Sequence, residues 1–288
     1  MITEKIKLSE ENEGVYLQTY LLHNSGQFGT DRRRPAVIVC PGGGYNHTSD
    51  REAEPVALRF LAQGFHTFVL RYSVRESARF PQPFLDVARA ISLVRDRAEE
   101  WLVNADRVAV CGFSAGGHVA AASGVFWNKP FIYETLQEEP MKLKPNALVL
   151  AYPVIHFNDW PRSTASTVEE GPTEAERTFA LTFGTPHPGQ GLKDQYGLHL
   201  HVDASVPPSF LWHTADDPVV SVRNSLDFAS ALTEHQVPYE LHVFPQGVHG
   251  LSLADETTAT GPQHVNERCQ IWIDLATTWL KDLNSQKN

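Results

Sequence analysis

Short apolar runs alternate with amphipathic segments along almost the whole of this 288-residue chain. The runs are mostly apolar on both faces and lie at 36–40, 66–72, 107–113, 147–155, 208–214 and 239–244. Strands of this kind occur inside parallel sheets covered by helices. Apolar residues at three- and four-residue steps predict helices over 84–101, 226–232 and 263–280. The alternation therefore predicts an α/β fold with a mainly parallel central sheet and helices on both faces.

One segment, at about 156–206, departs from this alternation. It is rich in Thr, Pro, Gly and charge, and it contains one predicted helix near 173–183. Because it is longer than an ordinary connection, it is expected to be a cap or binding loop. A mobile excursion without function is the alternative. Because the sequence contains no recognisable internal repeat or linker, it predicts one domain over 1–288 that carries this cap-like insertion.

Charge and composition exclude several classes of function. The formal net charge is −10, whereas a nucleic-acid or anionic-membrane partner requires a basic surface. The chain lacks an apolar run long enough for a membrane span, and its first residues are charged, so a cytoplasmic location is expected. The three cysteines are expected to be reduced. Ligand spacings typical of metal sites are missing, so no metal and no cofactor is expected.

The segment from Gly112 to Gly116 reads Gly-Phe-Ser-Ala-Gly and lies between a predicted strand and a helix of small residues. A nucleophile on such a strained turn needs glycines on either side, because a Cβ there would collide with neighbouring backbone. The following helix directs its positive end toward the site. Ser114 is therefore the predicted nucleophile.

A glycine run, from Gly42 to Gly44, directly follows the strand at 36–40. In acyl transfer, the developing oxyanion must meet backbone N–H donors, and glycines let the backbone approach it closely. The predicted donors are the N–H groups of Gly43 and Gly44, joined by that of Ala115, the residue after the nucleophile. The N–H of Tyr45 is an alternative for the second loop donor.

A serine nucleophile needs a histidine base and a carboxylate that orients it, in the chain order Ser, acid, His. His249 follows the strand at 239–244 in a glycine-flanked loop, where such a base is expected. His118, His213 and His242 are expected to be packing residues. For the acid, two neighbouring carboxylates follow the strand at 208–214: Asp216 is preferred because an apolar residue, Val219, follows it at the third position, and Asp217 is the fallback.

These motifs resemble the α/β-hydrolase superfamily, and within it the small carboxylesterases related to acetylxylan esterases and to the catalytic domain of prolyl oligopeptidases. The resemblance covers about 35–280 and is carried by PGGGY, GFSAGGH, VPPSFLWHTADDPVV and FPQGVHG. It implies an α/β-hydrolase fold with Ser114 as nucleophile, Asp216 as acid and His249 as base. In one departure, Pro41 stands where lipase-like members have a histidine that braces the oxyanion loop.

The leading functional prediction is a carboxylesterase that acts on small-molecule esters with short acyl chains, with acetyl esters of sugars or xylo-oligosaccharides favoured. Trp127 and Trp160 are candidates for stacking on sugar rings, although packing explains a tryptophan equally well. An amidase, peptidase or arylformamidase-type hydrolase on the same fold is the alternative, and a ligand receptor without activity is a third candidate. A homo-oligomer is compatible with the sequence, which does not fix the oligomeric state.

Overall fold

The centre of the protein is one eight-stranded sheet, seen in a computed structural model that describes residues 1–158 and 172–285. The spatial strand order is β1-β2-β4-β3-β5-β6-β7-β8; β1 and β2 are antiparallel to their neighbours, and β3 to β8 are parallel. The strands are β1 (Lys5–Lys7), β2 (Tyr16–Tyr20), β3 (Arg34–Cys40), β4 (His66–Arg71), β5 (Val103–Phe113), β6 (Ala147–Ala151), β7 (Ser209–Thr214) and β8 (Tyr239–Phe244). The predicted α/β architecture with a mainly parallel sheet is confirmed.

Helices connect the strands and cover both faces of the sheet. The α-helices are α1 (Glu54–Ala62), α2 (Gln82–Asp96), α3 (Ala98–Trp101), α4 (Ser114–Val125), α5 (Pro130–Leu136), α6 (Pro140–Leu143), α7 (Glu174–Phe183), α8 (Gln190–Gln195), α9 (Arg223–Glu234) and α10 (Trp272–Ser285). Short 3₁₀ turns lie at Asp50–Glu52, Arg75–Ser77, Leu198–His201 and Pro262–His264. Within the described ranges, no helix combines the length and the apolar character needed to cross a membrane.

Alternate residues of the inner strands enter two separate cores. In β3, Ile38 packs with the core under α2, α4 and α9, whereas Val37 and Val39 pack with the core under α1 and α10. All three side chains are fully buried. This two-sided burial explains why β3 is a continuous apolar run and has no polar alternation.

Three details differ from the sequence-based expectations. The strands β1 and β2 were not predicted, because their charged and polar residues hide the period-two pattern. Strand β8 is not buried on both faces, because it lies at the edge of the sheet, where Tyr239 and Val243 are exposed. The last helix begins only at Trp272, and the segment before it is made of turns and a 3₁₀ turn.

The described part of the predicted cap is folded onto the body. Helix α7 begins after Thr173, whose hydroxyl accepts a hydrogen bond from the N–H of Glu176 in a capping box. Phe183 at its end packs against Phe80 of the body, with ring centroids 5.3 Å apart, and against Phe157 at the start of the cap segment, with ring centroids 5.0 Å apart. The end of α7 is therefore anchored to the body through an aromatic contact. Trp160, the other candidate for sugar stacking, lies outside the described residues.

The sheet has a topological switch between β3 and β5. The chain passes from β3 to β4 on one side and then returns to β5 on the other side of β3. In open α/β sheets, ligands bind at such a point, outside the carboxyl ends of the strands. Here the glycine run follows β3, and Ser114 follows β5, so both motifs lie at the same edge of the sheet.

Candidate active site

Ser114 occupies a sharp turn between β5 and α4. Its φ is +51°, a left-handed conformation that a non-glycine residue adopts only where the surroundings enforce it. The flanking glycines are required by close approach: a Cβ on Gly112 would lie 2.2 Å from the carbonyl oxygen of Gly116, and a Cβ on Gly116 would lie 2.1 Å from that of Cys40. The turn therefore holds the Ser114 hydroxyl at the carboxyl edge of the sheet.

The hydroxyl of Ser114 meets the histidine that the sequence singled out. Ser114 Oγ lies 2.8 Å from His249 Nε2, and His249 Nδ1 lies 2.7 Å from Asp217 Oδ2. Because an ionised carboxylate only accepts hydrogen bonds, the ring proton belongs on Nδ1, which leaves Nε2 free to accept from the serine. The three side chains thus form one continuous hydrogen-bonded chain.

The carboxylate in this chain belongs to Asp217 and not to Asp216, so the preference for Asp216 is corrected. Asp216 is exposed, and its Oδ1 accepts a hydrogen bond from the N–H of Gly247 at 2.8 Å, two residues before the histidine. The pattern of an aspartate followed by an apolar anchor at the third position is met by Asp217 and Val220 as well, and Val220 is the fully buried member. Burial of Val220 selects the second aspartate.

Asp217 is held on every side. Its Oδ1 accepts from the N–H groups of Val219 and Val220, at 2.8 and 2.9 Å. Its Oδ2 faces His249 and lies 3.5 Å from Nε2 of the buried His213. Burial alone would raise the pKa of the Asp217 carboxyl, but the interactions with His213 and His249 outweigh it and hold the pKa well below its usual range. The carboxylate is therefore ionised at neutral pH.

The other histidines near the site have structural contacts. His213 bonds through Nδ1 to the hydroxyl of Ser225 and through Nε2 to the carbonyl of Val220. His118 is fully buried and accepts at Nδ1 from the hydroxyl of Tyr45, and burial lowers its pKa to about 4. His242 lies on β8 next to Glu240. Within the described residues, none of these rings is hydrogen-bonded to Ser114.

The glycine run forms a tight loop beside Ser114. Gly43 and Gly44 have φ values of +129° and +59°, and a Cβ on Gly43 would lie 2.2 Å from the carbonyl oxygen of His47. Within the described residues, the N–H groups of Gly43, Gly44 and Ala115 donate to no protein acceptor. Gly43 and Gly44 line the same cleft as Ser114, whereas the side chain of Tyr45 is fully buried behind it.

The loop is braced despite the missing histidine at Pro41. The carbonyl of Pro41 accepts a hydrogen bond from the hydroxyl of Tyr72 at 2.7 Å, and the N–H of Gly42 donates to Glu52 Oε2 at 2.8 Å. Sequence reasoning missed Tyr72 and Glu52. The only available signal was an acidic residue inside the charged run that follows the glycines, and nothing in the sequence of that run shows that Glu52 is the buried acid.

The cleft above Ser114 has a volume of about 510 Å³ and a mixed lining. One wall is a face of α7, which presents Glu174, Arg177, Thr178 and Leu181 at helical spacing. The hydroxyl of Thr178 donates to the carbonyl of Gly44 at 3.2 Å, so this helix also contacts the glycine loop. Of these four cap side chains, three are polar or charged and one, that of Leu181, is apolar.

Trp127, one candidate for sugar stacking, is mostly buried and does not line this cleft. In the described part of the chain, no cluster of three His, Cys, Asp or Glu side chains has the arrangement of a metal site.

Comparisons with known proteins place this geometry in context. The family model BD-FAE matches residues 27–232. The chain is 30% identical over 270 residues to endo-1,4-beta-xylanase B of Butyrivibrio fibrisolvens, covering 88% of this chain and 38% of that protein. It is 29% identical over 217 residues to an acetylxylan esterase of Xylanibacter ruminicola, covering 75% of this chain and 40% of that protein. The chain therefore spans about two fifths of the length of these curated relatives.

A solved structure matches over nearly its whole length. The acetyl ester-xyloside bifunctional hydrolase of Caldicellulosiruptor lactoaceticus superposes with a TM-score of 0.76 at 33% identity, covering 98% of this chain and 96% of that one. Together with the strand order and the turn at Ser114, this agreement confirms the α/β-hydrolase fold.

Proposed function

Because the chain belongs to the BD-FAE family, whose model matches residues 27–232, we propose that it is a serine carboxylesterase for short-chain acyl esters. The observation that carries the proposal is the hydrogen-bonded chain from Ser114 through His249 to Asp217 at the switch point of the sheet. The names of relatives with acetyl-ester activity support the same class of reaction.

The geometry suits attack on an acyl carbonyl. His249 Nε2 accepts the hydroxyl proton while Ser114 Oγ bonds to the acyl carbon, and Asp217 stabilises the imidazolium that results. The negative charge that develops on the carbonyl oxygen is stabilised by the N–H groups of Ala115, Gly43 and Gly44.

Collapse of this tetrahedral intermediate releases the alcohol, which takes its proton from His249. A water molecule, activated by the same histidine, then hydrolyses the acyl-enzyme on Ser114.

The lining of the cleft favours a polar alcohol and a short acyl group. Leu181 and Val219 are the large apolar side chains among the lining residues, while Arg51, Glu174 and Arg177 supply charge. A long acyl chain gains about 0.8 kcal/mol for each methylene that it buries against apolar surface, and only these two large apolar side chains are among the lining residues. Acetyl esters of sugars or xylo-oligosaccharides are the substrates that we propose, a choice supported by the acetylxylan esterase and the acetyl ester-xyloside hydrolase among the matched proteins.

The proposal is tested by acetate release from acetylated xylo-oligosaccharides, with p-nitrophenyl acetate and p-nitroacetanilide as a matched ester and amide. We expect acetate release by the wild type and none above roughly a thousandth of it by Ser114→Ala. Ser123→Ala is the matched control, because it removes a buried serine hydroxyl from the same helix, where it donates to the carbonyl of Ala120 away from the cleft. Cleavage of the anilide as fast as the ester would instead identify an amidase.

A further inference from the structure

Glu52 is a buried carboxylate placed between the two loops of the site. Its side chain lies in the 3₁₀ turn at Asp50–Glu52, is 3% exposed and reaches the wall of the cleft. Oε2 accepts from the N–H of Gly42 at 2.8 Å, and Oε1 accepts from the hydroxyl of Tyr152 at 2.6 Å. Glu52 therefore contacts the glycine loop directly.

Tyr152 extends this contact to the loop that carries His249. Its hydroxyl oxygen accepts from the N–H of Ser252 at 2.8 Å, and its ring packs edge-on against the ring of His249, with centroids 5.2 Å apart. One path of hydrogen bonds thus runs from Gly42 through Glu52 and Tyr152 to Ser252.

Arg51, the neighbour of Glu52, reinforces the second loop. Its Nη2 donates to the carbonyl of Gly250 at 2.9 Å, and its own carbonyl accepts from the hydroxyl of Ser252 at 2.6 Å. Arg51 and Glu52, consecutive residues of one 3₁₀ turn, therefore hold two loops in a fixed relation. One is the glycine loop that follows β3, and the other is the loop that follows His249.

Burying a carboxylate has a large desolvation cost, so packing alone does not account for Glu52 at this position. Among the described residues, no cationic side chain lies within 4.0 Å of the Glu52 carboxylate, so its burial is offset mainly by hydrogen bonds. One of these bonds fixes the peptide that precedes Gly43 and Gly44. Small displacements of groups that stabilise a transition state reduce rates strongly, by on the order of 10²-fold for about 1 Å.

We propose that Glu52 is a positioning residue that fixes the oxyanion loop and, through Tyr152, couples it to the loop of His249. This inference rests on the proposed esterase function. Glu52 itself acts through Gly42 and does not contact the reacting atoms.

Three substitutions separate a positioning role of Glu52 from a role in folding. Glu52→Ala removes both acceptors, so the N–H of Gly42 and the hydroxyl proton of Tyr152 lose the acceptor they have in the wild type, while the Tyr152 oxygen keeps its hydrogen bond from Ser252. In Glu52→Gln, the amide oxygen can still accept from Gly42, while the amide NH₂ can donate to the oxygen of Tyr152. Tyr152→Phe keeps the ring against His249 and removes only the hydroxyl link.

The expected signature is a loss in kcat with little change in KM. Losing one oxyanion donor outright costs about 10² to 10³-fold in kcat, so displacement of the loop in Glu52→Ala should cost about 10 to 100-fold, with KM within about threefold. Affinity for a short alkylboronic acid, which forms a tetrahedral anionic adduct on the serine, should fall in parallel. Glu52→Gln should retain kcat within about fivefold of the wild type.

Asn146→Ala serves as the matched control. The amide oxygen of Asn146 also accepts one backbone and one side-chain hydrogen bond, from Val108 and Arg95, and it lies at the start of β6, at the opposite end of the sheet from Ser114. We expect Asn146→Ala to lower the melting temperature without changing the ratio of boronate affinity to KM.

Positioning is overturned if Glu52→Ala, folded by circular dichroism, keeps the kcat and boronate affinity of the wild type. It is also overturned if Glu52→Gln is as impaired as Glu52→Ala while it melts like the wild type. Failure of the proposed function looks different, because Ser114→Ala would then retain hydrolysis whatever stands at position 52.

Discussion

Replacing Asp217 by Asn changes one oxygen to an amide NH₂ and should inactivate the enzyme without unfolding it. The carbonyl of the new side chain must take the place of Oδ1, because the N–H groups of Val219 and Val220 lie 2.8 and 2.9 Å from it and need an acceptor. The NH₂ group then takes the place of Oδ2, which in the wild type lies 2.7 Å from His249 Nδ1.

An NH₂ donor at this place requires Nδ1 of His249 to be unprotonated. The ring proton therefore moves to Nε2, which can no longer accept the proton of Ser114. The corresponding change in other serine hydrolases lowers kcat by about 10⁴-fold, which at 1.36 kcal/mol per factor of ten corresponds to about 5.4 kcal/mol of transition-state stabilisation. We expect a loss of this size for Asp217→Asn.

The assay is steady-state hydrolysis of p-nitrophenyl acetate, with circular dichroism to verify folding. Asp216→Asn is the matched control: its amide oxygen can still accept from the N–H of Gly247, so its kcat should stay within about tenfold of the wild type. If Asp216→Asn loses more activity than Asp217→Asn, the assignment of the acid is refuted.

Three further predictions concern pH and substrate. Hydrolysis should be lost toward acid pH, because a histidine base accepts the serine proton only as the neutral imidazole, and Asp217 should add no second acid limb because it stays ionised; a flat profile between about pH 5 and 8 would argue against a histidine base. The pKa of the Asp217 carboxyl is lower in the folded than in the unfolded protein, so its contribution to stability is complete above the unfolded-state pKa of about 3.9 and is lost as the pH falls through the folded-state pKa. The difference in melting temperature between the wild type and Asp217→Asn should therefore narrow below about pH 4. A difference that stays constant contradicts this. In a p-nitrophenyl ester series, acetyl to butyryl should give the highest kcat/KM, and an optimum at octanoyl or longer would indicate a lipase.

The parallel part of the sheet was readable from sequence because burial on both faces leaves continuous apolar runs. Inferring a buried strand from an apolar run failed at the edges of the sheet. Strand β8 has an apolar sequence but lies at an exposed edge, and β2 was not recognised because polar residues lie on its outer face. Strand β6 ends at Ala151, four residues before the end of its apolar run, because Tyr152 has a φ of +37° and Pro153 lacks an N–H.

The site also contains residues that the sequence could indicate and residues that it could not. Ser114 and His249, whose side chains lie 2.8 Å apart, could be predicted as a pair because the turn and the loop that carry them contain glycines, which are visible in sequence. Asp216 and Asp217 are adjacent, and each has a valine three positions later, so the sequence does not show that Asp217 is the buried member of the pair. Glu52 was invisible because its burial depends on long-range contacts, such as that with Tyr152, one hundred residues along the chain.

Active-site titration with diethyl p-nitrophenyl phosphate tests the central claim most directly. If Ser114 is the activated nucleophile, one p-nitrophenolate is released per chain, esterase activity falls in proportion, and peptide mapping finds the diethylphosphoryl group on Ser114. Retention of full esterase activity after stoichiometric labelling, or a label on any other residue, would contradict the account.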